Sequence, residues 1–218
     1  MSTSPITGVS ESAAQELEAG LRELGITVRD NLIPQLLHYL ELLNKWNRSF
    51  NLSGVTDVND MVALHLLDSL SLSPYLRGER FVDAGTGAGL PGIPLAILHP
   101  EKHFVLIDSN GKKTRFLFQV KVALKLSNIT IENCRIEHYQ SDEQIDMVMC
   151  RAFSSLEDTV LKTRQLLTRG CVLLAMKGRF PQQEVDQLPP GYAVTAISKL
   201  GIPGSESQRH VIEISRRE

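Results

Sequence analysis

Hydrophobic positions recur along this chain with two different periods, and the change falls near Arg80. In "ESAAQELEAGLRELGI", Ala13, Leu17, Leu21 and Leu24 repeat at helical spacing, Ser12 with Gln15 has the pattern of a capping box, and Gly25 supplies a stop. The run "DNLIPQLLHYLELLNKWN" repeats Leu32/Ile33, Leu36/Leu37, Leu40 and Leu43 and predicts a second helix. Pro34 falls in its first turn, where a missing N–H costs nothing. A polar loop, "NRSFNLSGVTD", leads to a third helix in "VNDMVALHLLDSLSLSPYL", capped by Asp57 and ended before Pro74. Residues 1–76 therefore read as an N-terminal helical extension.

From Arg80 onward the apolar runs are short and rich in β-branched residues: "RFVDAG", "HFVLID", "ITIENC", "IDMVMCRAF" and "CVLLAMKG". Such runs suit parallel strands buried on both faces. Helical stretches separate them: "PGIPLAILHP", "GKKTRFLFQVKVALKLS" and "SLEDTVLKTRQLLTR". A short helix in "PQQEVDQL" follows, then two alternating strands, "YAVTAISKL" and "RHVIEISRR", which read as joined by a polar loop, "GIPGSESQ". Strand–helix alternation closed by such a pair predicts an α/β fold over residues 77–218, a doubly wound, mostly parallel seven-stranded sheet with an antiparallel edge.

Composition removes several function classes. No apolar stretch approaches the roughly 18 residues a membrane helix needs, and "MSTSPITGVSES" lacks the basic start and apolar run of a signal peptide. Cys134, Cys150 and Cys171 are odd in number and widely spaced, as expected of reduced cysteines in a cytoplasmic protein, and neither they nor the histidines show zinc-ligand spacing. The formal net charge of −2 argues against a general nucleic-acid coat protein. Its distribution is uneven, however: residues 1–75 carry 9 acids and 4 bases, residues 76–218 carry 16 acids and 19 bases. A mildly basic C-terminal part can meet phosphates on one face.

The chemistry concentrates in "FVDAGTGAGLPGIP", where Gly85, Gly87, Gly89 and Gly92 follow Asp83 at the end of the first strand. Ligands of open α/β sheets bind outside the carboxyl ends of the strands, where this loop lies. Gly87, Gly89 and Gly92 spell a dinucleotide-type G-x-G-x-x-G, with Asp108 about twenty residues on. Against that reading, Asp83 would oppose a pyrophosphate, and Pro91 and Pro94 flank Gly92. A P-loop fails because no Gly-Lys-Ser/Thr follows. An acid beside the loop instead favours a cationic nucleoside such as S-adenosylmethionine, with Asp108 accepting the ribose hydroxyls, or else capping the helix that follows. Ile136 and Glu137, after the third strand, lie where an adenine would be sandwiched.

Several stretches in fixed order, "WNRSFNLSG" (46–54), "HLLDSL" (65–70), "DAGTGAGLPGIPLAI" (83–97), "DSNGKKTRFL" (108–117), "CRAF" (150–153), "MKG" (176–178) and "RHVIEI" (209–214), resemble the bacterial small-subunit ribosomal RNA guanine-N7 methyltransferases, historically the glucose-inhibited division protein B family. The similarity runs from about residue 17 to the end. It implies a class I S-adenosylmethionine-dependent methyltransferase, Rossmann-like, with a helical extension. It implies methylation of guanine N7 in 16S rRNA, at guanosine 527 of the 530 loop. It also implies cofactor contacts at Gly85, Leu90, Ile136, Glu137 and Arg151.

Guanine N7 has a free lone pair and no proton to lose, so no general base is expected. Cations are then wanted on phosphates or on the O6 edge, and Arg151, Lys177 and Arg209 stand at strand ends suited to that task. Lys112, Lys113 and Arg115 extend the basic face. His65 and Asp68, three residues apart, are expected to make a helix-end hydrogen bond rather than a catalytic dyad, and Trp46 to continue the leucine stripe into the core. The expected partner is 16S rRNA or the small ribosomal subunit, with no metal, no membrane and a monomeric chain. The alternatives are a small-molecule or protein methyltransferase, an NAD-dependent oxidoreductase, and a ribosome-binding module without turnover.

Overall fold

The computed structural model of the protein describes residues 11–217. Helix α1 (Glu11–Glu23) ends where Gly25 turns left-handed, φ 69°, and Ile26 N–H reaches back to the Leu21 carbonyl. Because α1 already begins at Glu11, Ser12 lies inside the helix, and the position that would cap it falls outside the described residues. Helix α2 (Leu32–Phe50) runs one turn further than the leucine pattern. Asn51 stops it in a left-handed conformation, with its N–H on the Asn47 carbonyl. Asp57 caps α3 (Val58–Met61), accepting from Asn59 N–H at 2.8 Å. The chain then widens into a π-helical turn, Val62–Leu67, before α4 (Asp68–Leu70).

Strands and helices alternate from there: β1 (Arg80–Ala84), α5 (Gly92–Leu98), β2 (His103–Ile107), α6 (Gly111–Leu124), β3 (Ile129–Glu132), β4 (Met147–Arg151), α7 (Leu156–Leu167), β5 (Val172–Lys177), α8 (Gln182–Asp186), β6 (Tyr192–Ile202) and β7 (Ser205–Arg216). They form one sheet in the order β3-β2-β1-β4-β5-β7-β6, with β7 antiparallel to both of its neighbours. The seven strands and the helices between them follow the sequence pattern. The link between the last two strands does not. Instead of a polar loop over "GIPGSESQ", the strands continue to a register pair Ile202↔Ser205, and only Pro203 and Gly204 turn the chain. The polar residues sit on an exposed strand, so composition imitates a loop where backbone pairing continues. Gly204 at the hairpin tip lies near Glu16 of α1 and Ala63 of the π turn.

Alternation along each strand sorts side chains onto two faces. Phe81, Phe104, Leu106, Met149, Leu174 and Met176 face α5, α6 and the N-terminal helices in one continuous core. Val82, Val105, Val148, Leu173 and Ile212 face α7 on the other side. Leu17, Leu21, Leu32, Leu36, Leu40 and Leu43 are all fully buried. At about 2 kcal/mol each, they fasten α1 and α2 to each other, to the π turn and to α5 and α6, which cover the sheet.

Gly92 opens α5 where helix and strand come closest. A Cβ there would overlap Leu106 Cδ2 and lie 2.7 Å from Asp83 Oδ2. Gly92→Ala is therefore expected to destabilise the fold by about 1–3 kcal/mol, read as a lower urea midpoint with an unchanged m-value.

Candidate functional site

The loop after β1 is organised from below by Asp83. Its carboxylate is wholly buried, and Oδ2 accepts from Thr86 Oγ1 at 2.6 Å and from the Gly92 N–H at 2.8 Å. Oδ1 is equally buried and has no hydrogen-bond partner in the chain. The acid expected at an open mouth thus lies beneath the loop, tying the end of β1 to the start of α5. From above, Tyr39 of α2 donates its hydroxyl to the Ala88 carbonyl at 2.8 Å. Burial raises the Tyr39 pKa far beyond its ordinary value, so this hydroxyl keeps its proton.

Asp108 follows β2 and meets the same loop. Its Oδ2 accepts from Gly87 N–H at 3.0 Å and its Oδ1 from Asn110 N–H at 2.8 Å, with Lys113 Nζ 3.6 Å from Oδ2. The helix-cap alternative for Asp108 is filled by Asn110, whose side chain accepts from Lys112 N–H. Asp108 is thus left at the loop edge.

A cleft of about 280 Å³ opens beside these groups. Gly85, Asp108, Ile136 and Glu137 line it together, as sequence spacing suggests. Ile136 is buried in a 3-10 turn whose carbonyl accepts from Gln165 of α7 at 2.6 Å. The remaining expected cofactor residues lie outside the lining. Asp83 is under the loop, and Gly89 packs against Ile93 and Leu117. Leu90 is buried in the apolar core, and Arg151 turns away toward Asp68. Gly87 sits at the loop crest with φ 60°, and a Cβ there would meet nothing nearer than Lys113 Nζ at 3.8 Å.

Phe153, Lys113 and Lys162 also line the cleft, and sequence reading missed that role for them. The Phe153 ring lies directly over Gly85, with Lys162 Nζ 5.4 Å from its centroid. It is aimed there by Ala152, which takes a left-handed φ of 49° without being glycine. That conformation costs roughly 1–2 kcal/mol, and strain of this kind collects at functional sites. Nothing in "CRAF" signals it. Tyr39 was equally hidden, since it reads as one more apolar position of the leucine stripe.

The three candidate RNA-binding bases share the carboxyl edge of the sheet but are not free there. Arg151 Nη1 donates to Asp68 Oδ2 at 2.9 Å and to the Leu64 carbonyl at 3.0 Å. Arg209 Nε donates to Asp68 Oδ1 at 2.8 Å. Lys177 Nζ binds Glu184 Oε2 at 2.8 Å and the Ser154 carbonyl at 2.6 Å. Because the hairpin is tight, Arg209 projects from a strand rather than from an overhanging loop. His65 does not bond Asp68: its Nε2 pairs with Ser53 Oγ at 2.7 Å, and Nδ1 is buried without a partner. Burial lowers the His65 pKa and keeps the ring neutral. Trp46 is partly buried between Phe50 and Phe116, its ring 5.1 and 5.7 Å from theirs. Among the described residues no cluster of His, Cys, Asp or Glu could hold a metal ion, and no helix is long and apolar enough to cross a membrane.

The sheet order and the position of the glycine loop can be compared with solved structures. TrmN from Thermus thermophilus is similar with a TM-score of 0.52 at 18% identity, over 80% of this chain and 53% of that one. The architecture is the Rossmann-like fold of class I methyltransferases. The family model described as rRNA small subunit methyltransferase G matches residues 32–212. The curated "Ribosomal RNA small subunit methyltransferase G" of Vibrio vulnificus is 47% identical over 205 residues, 94% of this chain and 97% of that one. The protein of the same name from Stutzerimonas stutzeri is 48% identical over 210 residues, 95% of this chain and 98% of that one. The chain belongs to the rRNA small subunit methyltransferase G family.

Burial raises the Asp83 pKa from 3.8 to about 6, against the lowering effect of the Thr86 and Gly92 hydrogen bonds and of the Arg151 charge. The folded chain then holds a proton between about pH 4 and 6 that the unfolded chain has lost. Asp83 accordingly contributes stability at low pH that is lost as pH rises through that window, by an amount of order 2–3 kcal/mol. Asn keeps an acceptor for Thr86 and Gly92 and cannot ionise. The stability difference between Asp83→Asn and wild type, from urea unfolding at pH 4, 5, 6 and 7, should therefore shift in favour of the variant as pH rises. A difference that stays flat across the series would contradict this.

Proposed function

We propose that this chain is an S-adenosylmethionine-dependent rRNA methyltransferase. In this reading it modifies guanine N7 of 16S rRNA, at guanosine 527 in the 530 loop, acting as a cytoplasmic monomer on the small ribosomal subunit or its assembly precursor. The observation that carries the reading is family membership over nearly the whole chain.

The residues present fit S-adenosylmethionine. Asp108 is a ribose acceptor at the loop edge, Ile136 and Glu137 offer an apolar wall and an acid for adenine, and Gly87 leaves room above the loop. A dinucleotide fits less well, because the α5 N-terminal N–H that would face a pyrophosphate is already bound by Asp83.

When bound, S-adenosylmethionine supplies an electrophilic methyl group, which a guanine N7 lone pair takes up with no proton to remove. The chain therefore needs no base, and the residues lining the cleft include no histidine. Its work is to orient the reactants, a contribution that can reach roughly 7–11 kcal/mol. Arg151 and Arg209 serve the RNA backbone, with Lys177 holding the end of β5 beside them.

Borohydride reduction and aniline cleavage of 16S rRNA, with the breaks mapped by primer extension, should reveal loss of one N7-methylguanosine in the 530 loop of a strain lacking this chain, restored by the cloned gene. Retention of that methyl group would overturn the proposal. Calorimetry should find S-adenosylhomocysteine binding and no NAD binding. Gly87→Val should lower S-adenosylhomocysteine affinity at least 10-fold, because the branched side chain enters the space above the loop and Val is strained at φ 60°. Its melting temperature should fall only a few degrees.

A further inference from the structure

The motif "HLLDSL" has no task in the chemistry above, yet Asp68 is 1% exposed and grips two arginines at once. Arg151 ends β4 and Arg209 lies on β7, with β5 between them in the sheet. Two guanidinium groups so placed repel each other. Here they bind opposite oxygens of one carboxyl group, which ties both to a single buried residue. We infer that Asp68 is a positioning residue that assembles Arg151 and Arg209 into a two-armed grip for one RNA phosphate, an inference that rests on the rRNA-methyltransferase reading above.

Charge balance points to the ligand. A buried carboxylate needs one cation to offset its desolvation, and this one has two. The surplus positive charge sits on side chains 20% and 26% exposed, so it faces solvent at the carboxyl edge. The monoanionic phosphodiester neutralises it. The donors agree. Arg151 commits Nη1 to Asp68 and Leu64, and Arg209 commits Nε to Asp68 and Nη1 to the Gln208 carbonyl. Among the described residues Nη2 of each arginine has no acceptor, leaving N–H groups in the fork geometry that phosphate oxygens match.

The π-helical turn explains how the carboxylate reaches this place. Its wider winding closes Asp68 N–H onto the Ala63 carbonyl, five residues back, and the Leu64 carbonyl accepts from Arg151. One added residue rotates the downstream positions by about 100° relative to a regular helix, so it determines which way Asp68 points. Such turns recur at functional sites. His65 stays neutral within the same turn and adds no competing cation. Lys177 belongs to a separate pair with Glu184.

The positioning role and simple electrostatics predict opposite signs for Asp68→Asn. Removing a negative charge from an RNA-facing edge should, by charge alone, tighten RNA binding. If Asp68 positions the arginines, the variant should bind small ribosomal particles from the deletion strain at least 10-fold more weakly. Its salt slope should fall by about one unit, and its particle KM should rise by more than kcat falls. S-adenosylhomocysteine affinity should change less than twofold, which also reports folding. Unchanged or tighter RNA binding overturns the inference. Should Asp68→Asn not fold, a cycle of Arg151→Gln, Arg209→Gln and the double variant decides it. One shared phosphate predicts that the double variant loses little more than either single one, whereas additive losses overturn the grip. Wild-type protein that neither binds nor methylates these particles would instead refute the rRNA reading itself.

Discussion

A single buried carboxylate, Asp83, holds the first crossover together. Oδ2 binds both the loop hydroxyl of Thr86 and the leading N–H of α5, so strand end, glycine turn and helix start share one acceptor. The arrangement works only because Gly92 lets α5 approach β1 and β2 without a side chain between them. It also uses the helix terminus, which in a dinucleotide fold is kept for phosphate. The same bond that stabilises the loop therefore biases what the loop can hold.

The N-terminal helices complete that construction. Their leucine stripe packs on α5, α6 and the π turn, and the Tyr39 hydroxyl reaches the loop backbone at Ala88. At the other end of the edge, the β6–β7 hairpin tip meets α1 and the π turn, and Arg209 meets Asp68. The extension thus touches the glycine loop and the arginine pair through different residues, and none of its described residues belongs to the cleft lining.

Period and glycine spacing were enough to read the strands, their alternation with helices, and the loop with Asp83 and Asp108, because those signals are local. Four of the expected cofactor residues line one cleft for the same reason: each lies just past a strand end, and parallel strands bring their ends together. What escaped depends on contacts distant in sequence or on backbone conformation. Polar composition in residues 201–208 looked like a loop because an exposed strand face is also polar. The left-handed Ala152 leaves no mark in composition, so Phe153 was unreadable. The pairing of Asp68 with Arg151 and Arg209 spans 83 and 141 residues. A helix period that assumes regular winding also puts Asp68 on the wrong neighbour, His65, because a π turn shifts the face.

Charges of both signs line the carboxyl edge: Asp108 and Asp83 at the glycine loop, then Arg151, Asp68 and Arg209. Asp83 feels Arg151 and Asp108 in opposite senses. The buried acids stay near one another because each accepts from a cation or a backbone N–H. Beside the glycine loop the cleft carries Asp108 and Glu137 together with Lys113, Arg135 and Lys162, whereas at β7 two arginines share Asp68. The carboxylates are therefore balanced differently along the edge: Asp83 by a hydroxyl and a backbone N–H, Asp108 by backbone N–H groups with a lysine close by, and Asp68 by two guanidinium groups drawn from strands that are not neighbours.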